Sequence, residues 1–294
     1  TTAAPTAPIA QRQPLSLYEV AEVAMGKACR GGLAGMGAMG IQVCSFMWLR
    51  TTMNYQYKNG GGARETIAKL YKEGGVRRFY RGVGPALLTG PLCRFGDTAA
   101  NVGVLAFMDN TPSLCNLPVA LKTVSASAAA ALFRVAITPV DTIKTTLQVE
   151  GRDAVGKLQR KMRQGGPSVM FHGAMGNMTA TFAGHYPWFA TYNLLDQNLP
   201  APSGLAQGLV RNATMGFFAS MVSDCVSNSI RVIKVYRQTS DVPCSYADSV
   251  RSVVAKDGVH GLLFRGLGTR LFTNACQGVC FSVLWKYFQS ALGA

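Results

Sequence analysis

The chain has 294 residues, of which 48% are hydrophobic and only 15% charged, with 32 glycines and a net charge of +15. Average soluble domains carry about 25% charged residues, so the composition excludes a disordered chain or a basic tail protein, which need charge to stay solvated. It fits a membrane protein whose basic rim meets anionic lipid, and a mean hydropathy of +0.16 suits helices that line a polar cavity.

The opening TTAAPTAPIAQRQP has no periodicity and reads as a Pro/Ala tail over 1–20. A start at Thr1 is that expected of a processed form. The first apolar segment, 31–49, holds no charge over 19 residues, about the length that crosses a bilayer as a helix. An amphipathic stretch follows at 63–75, then a second apolar segment at 83–108, interrupted by Arg94 and Asp97. The pattern returns as 118–140 (Lys122 near its start, Arg134 inside), amphipathic 154–166, and 174–195, which has no Asp, Glu, Lys or Arg. It returns again as 207–233 (Arg211, Asp224, Arg231), amphipathic 246–258, and 266–288, uncharged over 271–285.

A landmark fixes the repeat: Gly, five residues, aromatic, base, Gly. It reads Gly74…Tyr80-Arg81-Gly82, Gly165…Phe171-His172-Gly173 and Gly258…Phe264-Arg265-Gly266. Three copies about 90 residues apart mark a tandem array, with repeats expected over 21–110, 116–196 and 205–290. Two crossings per repeat place the three amphipathic linkers on one face, which holds 13 of the 29 Lys and Arg residues. The opposite connections, 109–117 and 196–206, contain no Lys or Arg. That asymmetry sets orientation.

Other classes find little support. The eight cysteines are scattered without CxxC, and three histidines give no zinc spacing; small apolar fillers are expected. No nucleophile–base pair, phosphate loop or metal cluster suggests an enzyme. The linker bases are better explained by a lipid-facing surface than by nucleic acid.

At the end of the third long segment stands Pro139-Val140-Asp141-Thr142-Ile143-Lys144, with Gln148 downstream. Proline kinks a helix by removing a backbone hydrogen bond, and an acid and a base three apart at such a kink can reach neighbouring helices. This run resembles the signature of the mitochondrial carrier family, and the aromatic-base-Gly landmarks resemble that family's second motif, over roughly 21–290. The resemblance implies an all-α membrane protein: six transmembrane helices in three tandem two-helix repeats with short amphipathic matrix helices, the pseudo-threefold mitochondrial-carrier fold of the inner membrane. It further implies that each signature acid meets the base of the next odd-numbered long helix in a ring closing the matrix side. At Tyr80-Arg81-Gly82, Phe171-His172-Gly173 and Phe264-Arg265-Gly266 it implies turns holding cardiolipin, with no other cofactor and no metal.

This sequence departs from the pattern. The first long segment has Ser45 for the proline, Met47 for the acid and Arg50 for the base, with Asn54 at the glutamine place. The fifth has Ser229, Arg231, Lys234 and Gln238. One ring pair is therefore expected, Asp141 with Lys234, while Lys144 faces Met47 and Arg50 faces the like charge of Arg231. On the even segments the corresponding acid places hold Val102, Asn193 and Lys286, and the base places Leu105, Asp196 and Gln289, so no ionic pair forms there. The implied substrate-contact places, Thr89, Ala180 with Thr181, and Thr273 with Asn274, are uncharged. A desolvated anion must be paired, which favours a weakly charged or zwitterionic solute.

Two further features come from the repeat itself. Arg134 and Asp224 each lie five residues before a kink place and are expected to pair across the cavity. Arg94 and His185 each lie 14 residues after an aromatic landmark and are further cavity candidates. Because alternating access needs two closed states held by different contacts, the eroded gates point to a structural or accessory subunit of a larger respiratory or ATP-synthase assembly. The alternative is an active carrier of a small weakly charged or zwitterionic metabolite.

Overall fold

The computed structural model describes residues 17–111, 114–115, 117–200 and 203–291. The tail expected over 1–20 lies outside the described residues up to 16, and residues 17–20 open the first helix. The apolar segments become long helices: α1 (Leu17–Asn59), α3 (Val83–Asn110), α4 (Val119–Glu150), α6 (Ala174–Asn198), α7 (Leu205–Thr239) and α9 (Leu267–Ala291). Short helices α2 (Ala63–Phe79), α5 (Ala154–Gly165) and α8 (Tyr246–Phe264) join the two long helices of each repeat. The helices opening each repeat outrun their apolar segments at the C-terminal end, by 10 residues to Asn59 and Glu150 and by 6 to Thr239. Polar residues there continue the helix because neighbouring chain, not lipid, covers them.

The long helices pack as a closed ring in the order α1, α3, α4, α6, α7, α9 and back to α1. In addition α1, α4 and α7 touch one another, at the end that carries the short basic helices. Several large apolar side chains are exposed and do not line the interior, among them Leu132, Val210 and Phe272. Such a surface is stable against hydrocarbon. By length and composition alone, a single stretch among the described residues, 121–165, qualifies as a membrane span. The other long helices fall short because they carry polar and charged groups toward the interior.

The glycine landmarks end the amphipathic helices. Gly75 and Gly166 hold φ of 59° and 71°, a left-handed backbone that only glycine adopts without strain. In the third repeat Val259 occupies that place, and the turn moves one residue back to Gly258, φ 68°.

Each repeat also caps the next. A helix ends with carbonyls lacking intrahelical partners, and basic side chains bind them favourably. Arg78 of repeat 1 donates to the carbonyls of Gln148 and Val149 at the end of α4, 2.7 Å each. Lys161 of repeat 2 donates to those of Arg237 (2.7 Å) and Gln238 (3.1 Å) at the end of α7. Lys256 of repeat 3 donates to Asn59 (2.8 Å), and Arg265 to Lys58 (3.4 Å), at the end of α1. Three cross-repeat caps thus tie the basic end into a ring. No disulfide joins the described cysteines, and Cys44 and Cys225 are exposed rather than core fillers.

Candidate functional site

The six long helices enclose a cavity of about 620 Å³, within the range of small-molecule sites. Its floor lies toward the basic end, where α1, α4 and α7 meet. Between α4 and α7 the floor is ionic. Lys234 Nζ lies 2.6 Å from Asp141 Oδ2, and Lys144 Nζ 2.5 Å from Asp141 Oδ1. Asn177 Nδ2 donates to the same carboxylate at 3.3 Å. One turn further, Gln238 Nε2 donates to Thr142 Oγ1 at 3.0 Å. The α6–α7 approach that sets Lys234 depends on Gly176: a Cβ there would fall 2.8 Å from that of Lys234.

The other two seams close without ion pairs. Between α1 and α4, Asn54 Nδ2 donates to Gln148 Oε1 at 2.6 Å, and Gln148 Nε2 reaches Met47 Sδ at 3.6 Å. Between α1 and α7, Tyr57 donates to Asn228 Oδ1 at 3.1 Å, and Lys58 to the Thr239 carbonyl at 3.2 Å. Tyr57 also packs with Val149, Val232, Val235 and Val253 in a buried apolar cluster. Neutral hydrogen bonds and apolar packing thus stand where two signature acids are missing.

Arg50, Arg134, Lys144, Arg231, Lys234 and Arg270 line the cavity, and among the described residues Asp141 is the one carboxylate on its wall. Arg50 Nη2 donates to Gln277 Oε1 at 3.2 Å. Arg231 Nε donates to Ser227 Oγ at 3.3 Å. Lys144 turns to Asp141 of its own helix rather than to Met47.

The expected Arg134–Asp224 pair does not form. Asp224 Oδ1 instead takes Arg270 Nε at 2.6 Å, and Asn274 donates to its other oxygen. Both residues that take Asp224 come from α9, which packs on α7. The place of Arg270 follows from the repeat register. Ala86, Asn177 and Arg270 each follow their aromatic landmark by six residues, and all three line the cavity.

Of the expected contact places, Thr89, Thr273 and Asn274 line the cavity. Ala180 and Thr181 are buried but lie off its wall, where Asn177 stands instead. Thr181 Oγ1 returns to the Asn177 carbonyl at 2.8 Å. His185 also lies off the wall, with Nδ1 at 2.8 Å from Ser127 Oγ; it ties α6 to α4. The Arg94 side chain lies outside the described residues, as do those of Val102, Lys286 and Gln289. Asp196 pairs with Arg211 at 2.6 Å, linking α6 to α7. Pro139, Ser45 and Ser229 lie inside α4, α1 and α7, which run through these places as helices. A weakly charged contact surface was expected from the three even-helix places alone. Those places are uncharged, while bases on α1, α4, α7 and α9 also line the cavity, Lys144 and Lys234 held by Asp141 and Arg270 by Asp224.

The three turns use their bases differently. Arg265 is buried, pairs with Asp257 at 2.7 Å and donates to the Lys58 carbonyl, so it faces the protein. The His172 imidazole is pushed down to about 4 by burial, and then by Arg237 and Lys161. It is neutral at physiological pH. Arg81 is half-buried, and Phe171 and Phe264 are exposed. Gly82 (φ 84°) and Gly266 (φ 65°) allow the tight entry into α3 and α9, while Gly173 precedes α6 with a right-handed backbone.

The family profile described as mitochondrial carrier protein matches residues 22–101, 116–202 and 206–293, three repeats covering most of the chain. No curated protein matches it. With its ring of six long helices and its cross-repeat caps, the chain belongs to the mitochondrial carrier family of the inner membrane, a family of transporters rather than enzymes.

Proposed function

We propose that this protein is an active solute carrier that passes a small polar solute through the central cavity by alternating access. The observation that carries this reading is the polar chamber of about 620 Å³, bounded by all six long helices and floored by the Asp141–Lys234 contact. A structural or accessory subunit needs an outer surface and has no use for such a chamber, so the carrier reading is preferred. The eroded signature does not weigh against it, because neutral contacts and apolar packing cover the two seams that lack acids. On a native gel in mild detergent, a single carrier-sized band is expected rather than a fixed-stoichiometry band in a respiratory or ATP-synthase assembly.

The same proposal seats cardiolipin phosphates at the turns 80–82, 171–173 and 264–266, where helix starts offer free N–H groups. Arg81 supplies the charge there, since His172 is neutral and Arg265 faces Asp257.

The test is exchange by the full chain in cardiolipin-containing liposomes, with labelled inorganic phosphate, succinate and alanine as probes. Saturable exchange of at least one probe, lost in Asp141→Asn, is expected. Folded protein that moves none of the three contradicts the proposal.

A further inference from the structure

The signature acid of the fifth long segment is replaced by a base, Arg231, and the structure shows what that inversion does. Arg231 lines the cavity from α7, next to the α1–α7 seam that lacks an ion pair. Its Nε reaches the Ser227 hydroxyl at 3.3 Å, a long bond to a neutral group. Among the described residues no carboxylate lies within ion-pair distance of it. Asp141, the one signature acid present, is occupied on both oxygens by Lys144 and Lys234. Asp224 is occupied by Arg270 and Asn274. The hydrogen-bonding positions of both acids are therefore taken by other residues.

A cation inside a membrane protein is retained when it pairs or serves a function, and leaving one without a counter-charge is strongly unfavourable. Here the α1 wall presents Arg50 and the α4 wall presents Arg134 and Lys144 to the same cavity. A wall of this sign raises the local concentration of anions. Guanidinium groups bind carboxylates and phosphates through paired N–H donors.

We propose that a compact dianion, a dicarboxylate or inorganic phosphate, binds Arg231 from the cavity and supplies the negative charge that the α1–α7 seam lacks. The ligand then serves as both substrate and gate element. It adds an anionic contact at the place of the absent signature carboxylate, to a seam otherwise held by the Tyr57–Asn228 bond and apolar packing. A zwitterion fits less well, because its ammonium enters a cavity already rich in bases. This inference rests on the carrier reading above and names the substrate class of the same site.

The test uses thermal unfolding of the purified full chain in detergent, which needs no transport. Inorganic phosphate and succinate are expected to raise Tm by several degrees at millimolar concentration, and alanine to leave it unchanged. Arg231→Gln should weaken the apparent affinity at least tenfold, and Arg231→Lys should retain most of the response. Arg231→Asp restores the missing acid opposite Arg50. It should raise Tm without ligand and abolish the dianion response. An equal response to alanine, or an undiminished response in Arg231→Gln, overturns the anion site. Stabilisation by dianions without any exchange in liposomes supports the site while removing the carrier reading. Exchange of alanine without a dianion response does the reverse.

Discussion

Two seams at the basic end of the helix ring solve the same problem in opposite ways. Between α4 and α7, Asp141 draws Lys144, Lys234 and Asn177 onto one carboxylate. Between α1 and α7, a tyrosine–asparagine bond and a valine-rich cluster carry the contact, and the charged residue at the signature position, Arg231, turns to the cavity. An ionic seam is directional and fails when either partner is lost. An apolar seam is non-directional and depends on filled volume. The comparison teaches that a missing signature acid need not mean a missing gate, since closure depends on the total contact and not on one motif.

The largest effect should follow from the ionic seam. Asp141→Asn strands two lysines without a counter-charge, and breaking a buried pair costs about 3–5 kcal/mol. A marked fall in Tm and loss of exchange are expected, read by thermal unfolding and liposome assay. An unchanged Tm would show that the lysines find water or another acid. Next comes the packing that places Lys234. Gly176→Val inserts bulk against its Cβ, and overpacking costs about 1–3 kcal/mol; Gly176→Ala should lose less. In the neutral seam, Tyr57→Phe removes one hydrogen bond and should cost only about 1 kcal/mol. A loss as large as that of Asp141→Asn would erase the contrast between the seams.

The smallest effect concerns pH. His172 titrates near 4 in the folded protein, against an ordinary value of 6.5. Between those values the unfolded chain binds the extra proton, so stability falls as pH drops from 6.5 through 4. A His172→Gln variant should show a shallower acid limb in Tm against pH. Identical limbs would remove His172 as a contributor.

Much of the fold was legible because its periodicity is long. The landmarks at 80, 171 and 264, the amphipathic stretches and the apolar runs place six long helices and three shorter ones between them in order among the described residues. The largest differences are the N-terminal end of α1, at Leu17 rather than 31, the C-terminal end of α8, and those of α1, α4 and α7, where polar residues mask the continuing helix. The Asp141–Lys234 contact was readable from the signature and its register. Arg270 is hard to read as a site residue because it borders the uncharged run at 271–285. The Arg134–Asp224 expectation failed for a geometric reason. Equal depth on two helices does not decide which base is nearer when a third helix packs alongside. Asn177 was missed because a neutral side chain carries no charge signal, although its six-residue offset from Phe171 matches Arg270.

The most direct test of the gate is a charge swap read in both stability and exchange. If Asp141 and Lys234 close the α4–α7 seam by their ion pair, then Asp141→Lys and Lys234→Asp should each be strongly impaired alone. The double variant should recover most of both readouts, with a coupling energy of roughly 1–3 kcal/mol. A double variant no better than the worse single variant would contradict the ionic seam.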